Sequence, residues 1–397
     1  MEKALTGIRV LGATRMLAGP YAEILLADMG AEVLHIELPG FGDEHRHSYP
    51  VIDGVVGTCF LSNNRNKKSI TLNLGKPKGQ KIFKQLVSIS DIVVENNRPG
   101  TMAKWNIGYE SLKGINPGII FTSISGYGQT GPYKDRPGLD YVAQAIGGLM
   151  SMTGMPGGPP LRTGNALADC LAGMFGAYGT LAALHYKQKT GLGQLVDCAL
   201  VDSVAAVLEN LAPNYDLLNF VPDRVGNSIT WVAPYNTYSA QDGYVVIGVT
   251  SDNLWGKLCK ALNREDMIED ERYATPSARV ENAVQVDETV ANWVASKKAD
   301  EIVLLLAEAE VPCAKVHDVA TMLENPQIKA REMFVETLYP GLAKKFRVPG
   351  VAPKLSLTPG SVDAPPPTLG QHNKEIYQDL LGFSTDKLQE LTAEGII

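Results

Sequence analysis

Along the first 125 residues, short apolar runs alternate with stretches whose apolar residues recur every three or four positions. The run Ile8–Leu11 predicts a strand, Tyr21–Met29 a helix and Ala31–Ile36 a second strand ending at Glu37. Between the first strand and the helix stands Ala18-Gly19-Pro20. It suits a helix start, because proline near the first turn gives up an N–H that has no partner there anyway. Gly30 follows as a cap. Strand, helix and strand with such short connections imply a parallel pair and a right-handed crossover.

The unit recurs. Ser69–Leu74 predicts a strand, Lys78–Ser88 a helix, Asp91–Glu95 a strand, Leu112–Ile115 a short helical piece and Gly118–Ser125 another strand. From Tyr141 to about Leu218 the pattern is helical. Residues 231–249 read as a hairpin with Gln241-Asp242-Gly243 at its turn. Amphipathic helices follow to about Glu308, and Val311–Val319 is strand-like. The class expected is α/β: a large open, Rossmann-like α/β domain built from both chain ends, plus a smaller α+β domain. Ligands of such a sheet sit outside the carboxyl ends of its strands. The expected boundaries are 1–226 for the large domain, 227–319 for the small one, and 320–397 for an extended segment returning to the large domain.

The 397 residues exceed what one small core holds. A formal net charge of −7 counts against nucleic acid as the main partner, while a local cluster of Lys and Arg can still hold an anion. The five cysteines (Cys59, Cys170, Cys198, Cys259 and Cys313) are scattered and form no CxxC pair. This points away from a disulfide scaffold or zinc site and toward a reducing compartment. The start of the chain has no apolar stretch of signal-peptide length, and no run reaches the ~18 apolar residues that span a bilayer. A cytoplasmic protein without a membrane partner is expected.

The turn GATRMLAGPYAE lacks the GxGxxG spacing of a dinucleotide site. The loop Asn96-Asn97-Arg98-Pro99-Gly100, with Lys104 beyond it, offers amides and two cations at a strand end. It suits a phosphate-bearing ligand; a solvated turn fits the same residues. Asp140 stands where the Gly- and Pro-rich loop Ser125–Tyr141 meets a helix, as an N-cap or as an acid of a site. The stretch Leu161–Gln194 reads as a helix of small and apolar residues holding one acid, Asp169, whose helical neighbours include no base. Cys170 beside it is either a nucleophile or a small buried thiol. No histidine falls in a triad or metal-ligand pattern, and GxSxG and HExxH are absent. The residues alone reach an α/β enzyme with an anionic ligand.

The segments GIRVLGATRMLAGPYAEILLADMGAEVLHIELPGFGDEHR, DIVVENNRPGTMAKWNIGYESL, SGYGQTGPYKDRPGLDYVAQA, ALADCLAGMFGAYGTLAALHYKQKTGLGQLVDCALVDS and PPTLGQHNKEIYQDLLGFS resemble, in order, the class III coenzyme A transferases. The group includes formyl-CoA and carnitine CoA-transferases, and the resemblance runs through essentially the whole chain. It implies a homodimer of two subunits threaded through each other as interlocked rings. It implies acyl-CoA and a carboxylic acid acceptor as substrates, with no permanently bound cofactor. Asp169 would be the nucleophile, passing through anhydride and aspartyl-CoA thioester intermediates; with Leu167 as the helix start it lies in the first turn, where the dipole favours the anion by about 0.3–1 kcal/mol. By motif position Asn97 and Lys104 match CoA contacts, with Asn96, Arg98 and Leu72 beside them, and Asp140 matches an acid that helps order the site.

Three departures narrow this picture. Leu17 stands where formyl-CoA transferases carry glutamine, and Gly248–Asn253 replaces their tetraglycine loop. Oxalate and formyl-CoA are therefore not the expected pair; a small dicarboxylate or hydroxy acid is. An α-methylacyl-CoA racemase of the same superfamily needs a second acid/base, and relatives place a histidine where this chain has Leu139, which carries no proton. A non-catalytic CoA-binding protein would have no use for the acid at 169.

Overall fold

Six strands from the first two hundred residues lie side by side in one wholly parallel sheet. They are β1 (Arg9–Ala13), β2 (Glu32–Glu37), β3 (Lys67–Thr71), β4 (Ile92–Glu95), β5 (Ile120–Ser125) and β6 (Leu195–Ala199). The computed structural model describes residues 2–397. The spatial order is β3-β2-β1-β4-β5-β6, so the chain reverses direction across the sheet between β1 and β4, and a crevice opens there at the carboxyl ends.

Alternate residues of each strand face opposite layers. Val10, Val33, Ile92, Val94, Ile120 and Ile124 pack against α1 (Ala18–Asp28) and, with others, against a long helix at Leu167–Thr190. Leu11, Leu34, Ile70, Val93 and Phe121 pack on the other side against α2 (Pro77–Ser88) and the chain's end. Strands covered on both faces read as continuous apolar runs, which is why they were legible. The short helix α3 (Asp140–Ile146) precedes the long one, α4 (Leu167–Thr190). By length and apolarity α4 could cross a membrane; here its small residues Ala168, Ala172 and Ala177 belong to the core under α1 and the sheet.

One compact unit comprises residues 1–149, 162–210 and 326–397. The last stretch returns to the free edge of the sheet: His372 N–H donates to Ser69 O at 3.0 Å, and the Tyr377 hydroxyl to Thr71 O at 2.7 Å. An antiparallel pair, Phe334–Thr337 with Phe346–Pro349, lies in this stretch. The second unit comprises 150–161 and 211–325. Its sheet joins β7 (Tyr235–Ala240), β8 (Gly243–Gly248) and β9 (Cys313–Lys315), all antiparallel. Val245 and Ile247 pack under helices that carry Trp255, Leu258, Val290, Ile302 and Leu306. The boundary expected at residue 226 thus falls at 210, residues 150–161 go with the smaller unit, and the return begins at 326.

β6 is a correction, since it falls in the stretch from 141 to about 218 where helices were expected to dominate. β6 is an edge strand with an exposed start, and its run continues without a break into a helix at Leu200. Its strand character is supplied by pairing with β5 rather than by its own pattern.

The α1 face of the sheet also buries charge. Gly12 of β1 has no side chain because the Glu23 carboxylate occupies that space: a Cβ there would lie 2.0 Å from Glu23 Oε1. Glu23 accepts from His35 Nδ1 at 2.9 Å, Lys67 Nζ at 2.9 Å and Thr14 Oγ1 at 2.5 Å. Asp43 lies 3.7 Å from His35 Nε2 and accepts the Met16 N–H. The network therefore anchors the loop that leaves β1.

Candidate active site

α4 starts at Leu167, so Asp169 is its third residue, and its N-cap residue Ala166 has no side chain to satisfy the first turn. The cap comes from a different helix. Asp140 Oδ1 accepts the Ala168 N–H at 2.7 Å and the Asp169 N–H at 3.4 Å. Asp140 is the first residue of α3 yet does not cap that helix through its side chain. The local N-cap reading of Asp140 is thereby replaced by a long-range one, with an anion set against the positive end of the α4 dipole.

Asp169 is half-buried. Burial, and after it the charge of Asp140, push its pKa from 3.8 up to about 7. The expected stabilisation of the anion by the helix start is therefore outweighed by loss of water and a like charge. The carboxylate is poised near neutrality instead of being fully ionised. Cys170 is moved the same way by burial and by the two carboxylates. That suppresses its thiolate and leaves it the small thiol of the two readings.

The start of α1 supports both halves of the site. A Cβ on Gly173, one turn after Asp169, would lie 2.8 Å from Ala18 O and 2.9 Å from Tyr21 Cδ1, so α4 and α1 touch at backbone distance. On the other side a Cβ on Gly19 would meet Thr14 at 2.6 Å and Asn96 Cγ at 3.0 Å. Asn96 clamps the β1 loop: it accepts the Arg15 N–H at 3.0 Å and donates to Arg15 O at 2.7 Å.

Beyond that clamp lies a cleft of about 320 Å³ across the carboxyl ends of β1, β2, β3 and β4, lined among others by Thr14, Arg15, Leu38, Leu72, Asn97 and Trp105. The structure thus brings Leu72 and Asn97 together, with Asn96 behind them. Asn97 donates its amide to Ala13 O at 3.3 Å and to Glu95 Oε2 at 3.2 Å. Arg98 is not part of this cleft: it is exposed and lines a separate one with Tyr109 and Gln129. Lys104 ends the short helix Thr101–Lys104 and is exposed.

Two supporting residues were not found from the sequence. Glu95 is buried at the end of β4, where it accepts from the Ser123 hydroxyl and from the Asn97 N–H at 2.8 Å. Burial raises its pKa. A carboxylate closing the apolar run of β4 was its one signal. Gln144, fully buried, donates Nε2–H to Asp140 Oδ2 at 2.9 Å, and no motif marked it.

The departures also take their places. Leu17 is the N-cap residue of α1, and Leu139 precedes α3 with its side chain 70 % exposed. In the smaller unit Gly248 ends β8, and Ser251 accepts the Leu254 N–H at the start of the helix Asp252–Ala261.

Comparison with known proteins supplies the chemistry. Residues 5–373 match the model of CoA-transferase family III. The chain is 40% identical to succinyl-CoA–D-citramalate CoA-transferase of Chloroflexus aurantiacus, over 100% of this chain and 98% of that one. It is 37% identical to human succinyl-CoA:glutarate CoA-transferase, over 100% of this chain and 90% of that one. Among solved structures, a CAIB/BAIF family protein from Brucella suis superimposes with a TM-score of 0.85 at 35% identity, covering 96% of this chain and 100% of the other.

Proposed function

The chain belongs to CoA-transferase family III, and from that premise we propose that it moves CoA between a succinyl-type thioester and a small dicarboxylate or hydroxy acid, with Asp169 as nucleophile. That it is a CoA-transferase follows from the family and its named relatives. The acids are inferred from the citramalate and glutarate enzymes, both of which use dicarboxylates with succinyl-CoA by name.

The observation that carries the assignment is the Asp169 carboxylate itself. It is half-buried at a helix start, its environment is shaped by burial and Asp140 and by no cation, and it sits one turn from the α1 contact. The ionised oxygen attacks the thioester carbonyl, the C–S bond breaks, and CoA leaves as thiolate. The thiolate then attacks the aspartyl carbonyl of the anhydride and releases the donor acid. The acceptor carboxylate attacks the aspartyl thioester, forming a second anhydride, and the same thiolate takes the acceptor acyl group. Every carbonyl attack is matched by a departing carboxylate or thiolate, so no net proton is needed, which suits a site without a histidine. The cleft holding Leu72 and Asn97 is assigned to CoA, with the exposed Lys104 as its candidate cation and Asp140 as the group that orders α4; Arg98, in its own cleft, is left out of the assignment.

The test is mass spectrometry of the protein after incubation with succinyl-CoA and no acceptor, with hydroxylamine trapping and peptide mapping. A hydroxamate at Asp169 is expected. An unmodified Asp169, with solvent deuterium entering the substrate α-carbon, would transfer the chain to the racemase branch.

The interlocked homodimer belongs to the same proposal. The outer side of α4 carries Met174, Phe175, Tyr178 and Leu181, all exposed in the single chain. A second copy covering this face accounts for an apolar surface a lone chain would leave wet. Sedimentation should give a dimer, and Tyr178→Asp should shift it toward monomer; a monomeric wild type sinks this part.

A further inference from the structure

Gln144 has no part in the chemistry above, yet its amide is wholly buried and satisfied at both ends. Its Nε2 donates to Asp140 Oδ2 at 2.9 Å, and its Oε1 accepts the Thr163 N–H at 3.0 Å and the Thr163 hydroxyl at 3.3 Å. The same Thr163 hydroxyl lies 3.1 Å from Asn165 O, so its one proton is shared between that carbonyl and Gln144. We propose that Gln144 is a positioning residue of the transferase reaction: by tying Asp140 to the segment that enters α4, it fixes where the Asp140 charge stands against Asp169.

The geometry gives each atom of the amide a separate duty. One oxygen of Asp140 is engaged by the α4 amides of Ala168 and Asp169, so its other oxygen decides the carboxylate's rotation. Gln144 holds that oxygen from one turn along α3, where residues four apart meet. Its carbonyl simultaneously pins Thr163, four residues before α4 begins. A buried polar side chain placed only for stability has no need to join these two groups, and an unpaired one would cost free energy. The charged group acting on Asp169 is Asp140 from α3; the adjacent Cys170 thiol feels both carboxylates, and the Tyr21 phenol of α1 interacts with Cys170.

This inference rests on Asp169 being the nucleophile, and two substitutions of opposite sign test it. Gln144→Met keeps the volume and removes both hydrogen bonds. Asp140 is then free to turn away, and the acid limb of the kcat/KM profile moves to lower pH, with kcat down about tenfold and KM for acyl-CoA unchanged. Gln144→Glu keeps the acceptor toward Thr163 but sets a second carboxylate against Asp140. The limb moves to higher pH, because like charges disfavour ionisation. In an Asp140→Asn background both shifts vanish, since the residue they act through no longer carries charge. A merely structural role would lower the unfolding midpoint and leave the limb where it is in both Gln144 variants, which would overturn the proposal. Should Gln144→Met fail to fold, Gln144→Glu decides alone. Failure of the underlying assignment looks different: Asp169→Ala would keep turning over, whatever Gln144 does.

Discussion

Gly173 in α4 meets the carbonyl of Ala18 in α1 so closely that a single added carbon would lie 2.8 Å from that oxygen. The obstacle is backbone, which cannot swing aside as a long side chain can. Gly173→Ala is therefore expected to part the helices, at a stability cost of about 1–3 kcal/mol, read from urea midpoints. Asp169 lies one turn away, so kcat should fall in the same variant. A wild-type kcat would show that the two helices need not touch for the reaction.

The pH dependence of acylation follows from the position of Asp169. Its carboxyl titrates at about 7 instead of 3.8, and only the ionised form attacks. The rate should climb as pH rises through about 7 and level off above it. Asp140→Asn removes the second cause of the shift and leaves burial, the first, so the limb should move down but stay above the ordinary carboxylate range. A stopped-flow profile of thiolate release reports both.

Asn97 tests the assignment of the cleft. It lines the cleft at the ends of β1 and β4 and has no part in the acyl-transfer scheme. Asn97→Ala should raise KM for acyl-CoA about tenfold with kcat within a factor of about two. A fall in kcat at constant KM would place this residue in the chemistry instead.

The buried charges beneath the β1 loop make a stability prediction. Lys67 and Glu23 are both fully buried and 2.9 Å apart. Lys67→Met leaves the carboxylate with only His35 and Thr14, at a cost of about 3–5 kcal/mol. For Glu23 burial opposes ionisation, but Lys67 and His35 win and lower its pKa from 4.5 to about 2. For His35 burial again opposes charge, but Glu23 raises it from 6.5 to about 9. The Glu23 contribution is present above pH 4.5 and lost as pH falls toward about 2. The His35 contribution is complete below 6.5 and lost as pH rises through about 9. His35→Gln should therefore remove a decline in stability between those last two values, seen in urea midpoints measured across pH.

Alternation of apolar runs and amphipathic segments determined the parallel sheet, because strands buried on both faces must be apolar throughout, as in β1, β2, β4 and β5. The breaker Ala18-Gly19-Pro20 located α1, and the apolar, small-residue run within Leu161–Gln194 located α4 and its one acid, while the structure set its start at Leu167. The ordered motifs determined the family and singled out Asp169. These features are local, so the sequence carries them without the fold. The remainder depends on residues far apart in the chain. β6 is a strand through its pairing with β5. The Asp140 side chain caps a helix 28 residues on rather than its own. Arg98 parts from Asn97 into another cleft although the two are adjacent in sequence. Only tertiary structure decided the titration of Asp169, because the water it loses and the charge it gains both come from elements packed around α4 and from nothing in the helix's own sequence.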